Sequence, residues 1–114
     1  MIELRSEEEW EERLGKSDEE PFFVLKHSTT CPISAGAYNR VGIYREGALS
    51  GSPEIVLVKV IESRGVSNAI AGALGVTHQS PQLILVKGGR AVWNASHHLI
   101  EGDAIAEAVA SLSD

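Results

Sequence analysis

The chain has 114 residues, 43% of them hydrophobic, and its sixteen acidic residues against ten Lys and Arg leave a formal net charge of −6. That length suits one domain, spanning 1–114, able to bury a core without staples. The basic residues are dispersed, which argues against nucleic acid as a partner, because neutralising phosphates needs clustered Lys and Arg.

The first pattern is Ser6 with Glu9 three residues on, ahead of Trp10 and Leu14. It reads as a capping box opening an amphipathic helix that ends near Gly15. Residues 22–27, Phe-Phe-Val-Leu-Lys-His, form an apolar run without alternation, as expected of a central strand covered on both faces. A helix is predicted from Pro32 or Ile33 to about Glu46, since proline suits a helix's first turn. Residues 54–61 are the strongest strand signal, and residues 66–74 read as a helix closed by Gly75. Residues 82–87 and 90–95 flank Gly88-Gly89 as a β-hairpin. A last amphipathic helix is predicted over 102–112. No apolar run approaches the roughly 20 residues that span a bilayer. The opening Met1-Ile2-Glu3-Leu4-Arg5 also lacks the order of a secretory signal, so the protein is expected in the cytoplasm, with no membrane partner. The whole predicts an α/β fold in which a mixed central sheet of about four strands is flanked by helices.

There is one cysteine, Cys31, so no disulfide forms within the chain and no all-cysteine metal site is possible. Cys31 is buried filler, a reactive thiol or an intermolecular ligand. A lone cysteine is often inert, because free Cys is among the most buried residue types. At a strand-to-helix turn, however, unpaired N–H groups and the helix dipole favour a thiolate, which is the nucleophilic form. The four histidines, His27, His78, His97 and His98, show no H-x-x-x-H spacing, and no metal is expected. Trp10 and Trp93 read as core or half-core residues.

Thr30-Cys31-Pro32-Ile33-Ser34 resembles the active-site loop of thioredoxin-like proteins, with Ser34 where a dithiol enzyme carries its second cysteine. Thr77-His78-Gln79-Ser80-Pro81-Gln82 stands where that fold has its cis-proline loop; read alone, Pro81 is simply a strand-entry residue. With Val92-Trp93-Asn94-Ala95-Ser96-His97, these segments resemble the monothiol bacilliredoxin (YtxJ-like) family over nearly the whole chain. The resemblance implies a single thioredoxin-like domain with a cis bond at Ser80-Pro81, and a cytoplasmic, monothiol thiol–disulfide oxidoreductase removing bacillithiol from protein mixed disulfides. It departs from dithiol thioredoxins, since Thr30 replaces a tryptophan and Leu25 takes the buried acidic position.

On this reading Cys31 is the nucleophile, Thr30 and Ser34 hydrogen-bond the thiolate, and Pro32 and Ile33 complete its surroundings. Ser80, Pro81 and His78 meet the substrate. Lys26, Arg40 and Arg45 are candidates to meet carboxylates of a bacillithiol-like molecule, although such residues are usually solvated surface charge. His27 and His97 are further acid–base or recognition candidates. The expected partners are bacillithiolated client proteins and a low-molecular-weight thiol, with bacillithiol as substrate, no bound cofactor, and a monomer or weak dimer. The alternative is a thioredoxin-like binding module, either holding an iron–sulfur cluster through Cys31 or non-catalytic. Pro32-Ile33 in place of Gly-Phe counts against the cluster.

Overall fold

In the computed structural model, which describes residues 1–112, the apolar run at residues 22–27 becomes the middle of a five-stranded sheet. The elements in chain order are β1 (Ile2–Glu3), α1 (Glu7–Gly15), β2 (Phe22–His27), α2 (Pro32–Gly47), β3 (Glu54–Lys59), α3 (Arg64–Leu74), β4 (Gln82–Lys87), β5 (Arg90–Ser96) and α4 (Gly102–Ser111), with a 3₁₀ turn at His97–Leu99. The far end of the 1–114 domain, Ser113 and Asp114, lies outside the described residues.

The sheet order is β1-β3-β2-β4-β5. β1 and β2 run parallel to β3, whereas β4 is antiparallel to both β2 and β5. Successive side chains of a strand face opposite sides of a sheet. Phe23 and Leu25 therefore join α2 and α4 in a core with Ala37, Val41, Ile105 and Ala108. Phe22 and Val24 join α1 and α3 in a second core with Trp10, Val66 and Ile70. Both faces of β2 are covered, which is why its apolar residues do not alternate with polar ones. Trp10 is buried with its ring edge-on to Phe22, and the half-buried Trp93 meets Phe23 in the same way.

Local signals account for most boundaries. Ser6 Oγ accepts from the Glu9 N–H while Glu9 Oε1 accepts from the Ser6 N–H, the reciprocal pair that starts α1. Gly88 and Gly89 take φ of 61° and 77°, the left-handed pair a tight hairpin requires. The expected four strands become five because Ile2–Glu3 pairs with Val56 and Leu57 at the sheet edge. β3 stops at Lys59, two residues short of expectation, because the chain turns there and the Ser63 N–H bonds to the Lys59 carbonyl. α3 correspondingly starts at Arg64, two residues early. No helix among the described residues is long and apolar enough to cross a membrane.

Candidate active site around Cys31

β2 delivers the chain at His27 to a short turn, Ser28 to Thr30, and Cys31 is the N-cap of α2. Pro32 can occupy the first helical position because an N–H there would have no helical partner. The Cys31 N–H bonds to the Ser28 carbonyl at 3.3 Å, and the Cys31 carbonyl accepts from the Ala35 N–H at 3.0 Å. The side chain makes no capping bond and is partly exposed, flanked by exposed Thr30, Pro32 and Ile33. The thiol thus sits at the positive end of a sixteen-residue helix, within reach of a large partner.

The neighbouring hydroxyls do something other than expected. Ser34 is fully buried; its Oγ accepts from the Ser28 N–H at 2.9 Å and lies 2.8 Å from Nδ1 of His27. Thr30 Oγ1 pairs with Ser28 Oγ at 3.3 Å. These two side chains therefore fasten the loop rather than bond the sulfur, because a turn that leaves a strand for a helix has backbone donors to satisfy. The His27 ring packs on Tyr38 with centroids 5.0 Å apart. Burial, aided by the Lys59 charge, pushes the His27 imidazole below its ordinary range, against the opposing pull of Glu62 and of the Ser34 backbone. Glu62 in turn accepts from Thr29 Oγ1, tying the cysteine loop to the turn before α3.

The pairing of Lys26 with Gln82 sets the start of β4 beside the end of β2, so Ser80 and Pro81 arrive next to the cysteine turn. The Ser80–Pro81 peptide bond is cis. The Pro81 carbonyl accepts from the His97 N–H at 3.1 Å. His97 adopts φ 55°, a left-handed conformation that non-glycine residues seldom take. Arg40 on α2 holds this corner by donating to the carbonyls of Ile100 at 2.6 Å and His97 at 3.0 Å. His78 is exposed as a residue, yet its Nδ1 lies 3.3 Å from Nζ of Lys26.

The basic residues proposed for substrate carboxylates are placed differently. Lys26 is fully buried, because it shares the inward face of Phe22 and Val24 at the end of a covered strand. Arg40 spends its donors on backbone carbonyls, and Arg45 lies in the last turn of α2, at the opposite end from Cys31. Ser67, which meets Lys26 and His78, carries no sequence signal, since its role depends on contacts between separate elements, and the local bonds of Ser28 and Gln82 show only in the folded turns. Gln82 donates from Nε2 to the Thr77 carbonyl, and Ser67 offers both its carbonyl and its hydroxyl. A cavity of about 440 Å³ lined by Arg13, Pro21, Pro53 and Val109 opens at the other end of β2. Cys31 itself is partly exposed between exposed Thr30, Pro32 and Ile33.

A mixed sheet covered by helices on both faces, with one partly exposed cysteine at the start of the helix that follows its central strand, defines a thioredoxin-fold protein of the one-cysteine type. Solved structures agree on the fold. A proposed oxidoreductase with a thioredoxin fold is similar at 34% identity, a TM-score of 0.80, and 94% coverage of this chain and 91% of that one. Fasciola hepatica thioredoxin is similar at 15% identity, TM-score 0.75 and coverage of 97% and 98%. The oxidised thioredoxin of Plasmodium falciparum is similar at 12% identity, TM-score 0.73 and coverage of 100% and 99%. The profile of the monothiol bacilliredoxin BrxC matches residues 2–105. The chain belongs to the monothiol bacilliredoxin family, and with it to the proteins of thiol redox chemistry.

Proposed function

We propose that the protein is a monothiol thiol–disulfide oxidoreductase that takes bacillithiol off protein mixed disulfides and onto Cys31. The observation that carries this reading is the position of Cys31 as the uncapped, partly exposed N-cap of α2, with the second-cysteine position filled by a fully buried serine. The Cys31 thiolate attacks the bacillithiol sulfur of the mixed disulfide. A new S–S bond forms between Cys31 and bacillithiol as the old one breaks, and the client leaves as a thiolate, which takes up a proton. The client cysteine is reduced and Cys31 is oxidised. Cys31 is the chain's one cysteine, so a low-molecular-weight thiol attacks next, releasing Cys31 and departing as the disulfide of the two small thiols.

The partial exposure of Cys31 among exposed Thr30, Pro32 and Ile33 suits a substrate whose disulfide projects from a folded protein. The proposed setting is the cytoplasm, with bacillithiolated proteins and a small thiol as partners, no bound cofactor, and a monomer or weak dimer. Intact-mass analysis after mixing with a bacillithiolated client tests the reading. The natural chain is expected to gain one bacillithiol while the client loses it, with no transfer to Cys31→Ala. Absence of transfer from the natural chain overturns it.

A further inference from the structure

Lys26 is a lysine in an unusual place. Its side chain is fully buried, and no carboxylate among the described residues lies within ion-pair distance of it. Burying an ammonium without a counter-charge is costly, so its remaining contacts must compensate. They are the Ser67 carbonyl on α3 at 3.2 Å and His78 Nδ1 at 3.3 Å. An ammonium has protons to give and no lone pair to accept with. Facing one, His78 Nδ1 must be the bare acceptor nitrogen, and the ring's single proton then sits on Nε2.

Among the described residues no protein group bonds to that Nε2, and His78 is exposed. His78 lies three positions before Pro81, and Arg64 at the start of α3 adds its positive charge to the same place. In a chain of net charge −6, Lys26 and Arg64 thus both set positive charge at His78, while the Glu62 carboxylate is held on Thr29 of the cysteine turn. We propose that Lys26 is a positioning residue that holds His78 as the neutral Nε2–H imidazole, and that His78 offers this N–H to a carboxylate of the small thiol as the mixed disulfide seats against the Ser80–Pro81 turn. The inference rests on the carrier reading above and assigns the recognition of the small thiol's anionic part to His78.

Two measurements on the full chain test it. Nitrogen-15 NMR of the histidine rings at neutral pH is expected to show His78 protonated at Nε2 and bare at Nδ1, and to show this preference weakened in Lys26→Met. A proton on Nδ1 in the natural chain overturns the role of Lys26. The second measurement is the ratio of kcat/KM for a client carrying bacillithiol to that for the same client carrying uncharged 2-mercaptoethanol. Loss of a hydrogen bond to a charged group is expected to lower this ratio about tenfold in His78→Ala and Lys26→Met. His78→Gln, whose amide N–H stands near the place of Nε2–H, is expected to restore most of it. An unchanged ratio in His78→Ala overturns the carboxylate contact, and because His78 is exposed this arm survives if Lys26→Met fails to fold. A natural chain that reduces neither client overturns the carrier reading and the carboxylate contact together, while the NMR result still decides whether Lys26 governs His78.

Discussion

Nδ1 of His27, the last residue of β2, lies 2.8 Å from the buried hydroxyl of Ser34 in the first turn of α2. The same hydroxyl accepts the Ser28 N–H. Where a dithiol enzyme would carry a second sulfur, this chain carries the peg that closes the strand onto the helix.

Replacing that peg has a structural cost. Ser34→Ala leaves the Ser28 N–H and His27 Nδ1 without their partner, a loss of about 1–3 kcal/mol. Thermal unfolding is expected to fall by roughly 4–12 °C. Thiol transfer by Cys31 is expected to persist below that temperature, because Ser34 makes no bond to the sulfur. A variant as stable as the natural chain would show that the peg is dispensable.

Arg40 supports a different joint. Arg40→Met removes both donors from the carbonyls of Ile100 and His97, and a charged donor to a partly buried acceptor is worth about 1.5–3 kcal/mol. Denaturant unfolding should reveal a loss of that size. The rate of attack on a mixed disulfide should fall too, since the His97 N–H no longer holds the Pro81 carbonyl in a fixed corner. Lower stability with an unchanged rate would separate the joint from the chemistry.

On the alkaline side, burial pushes the Lys26 ammonium down from 10.5 to about 8. Between those values the unfolded chain binds the proton that the folded chain has released, so stability rises with pH across the window. The gain is up to about 3 kcal/mol, at 1.4 kcal/mol for each pH unit. Urea titrations at pH 7.5 and 10 should show this rise against the background of the other groups, and Lys26→Met should lack it.

On the acid side, burial is the main cause that lowers both His27 and His78, with Lys26 and Arg64 adding to the effect on His78. Each imidazole is favoured neutral in the fold. Stability is therefore expected to begin falling as pH drops through 6.5, the unfolded value, and to continue down to the folded values. A His27→Gln, His78→Gln double variant should flatten that part of the curve in chemical denaturation.

Much of this architecture is legible in the residues. The unalternating run from Phe22 to Leu25 announces a doubly covered strand, and Gly88-Gly89 announces the hairpin, because each signal is local. Ile2–Glu3 is hidden because two residues show no periodicity and pair only through a distant strand. The helix start at Cys31 is marked by Pro32. The burial of Lys26 follows from parity along β2, since it shares the side of Phe22 and Val24, yet its chemistry argues for the surface. What Lys26 touches and what Arg40 fastens lie 41 to 60 residues away, so no short stretch of sequence contains both halves of those contacts. Ser34 and its partners His27 and Ser28 share one stretch but show their pairing only once the turn between them is folded.

Cys31 and Arg40 share α2, about 13 Å apart along its axis. The start of that rod carries the reacting sulfur, and its middle grips, through His97, the corner that presents Pro81. A slide of the rod along its own axis carries the sulfur and the gripped corner in the same direction. The spacing between Cys31 and the Pro81 corner is thereby spared that one motion, as the jaws of a caliper hold their setting when the whole tool is moved.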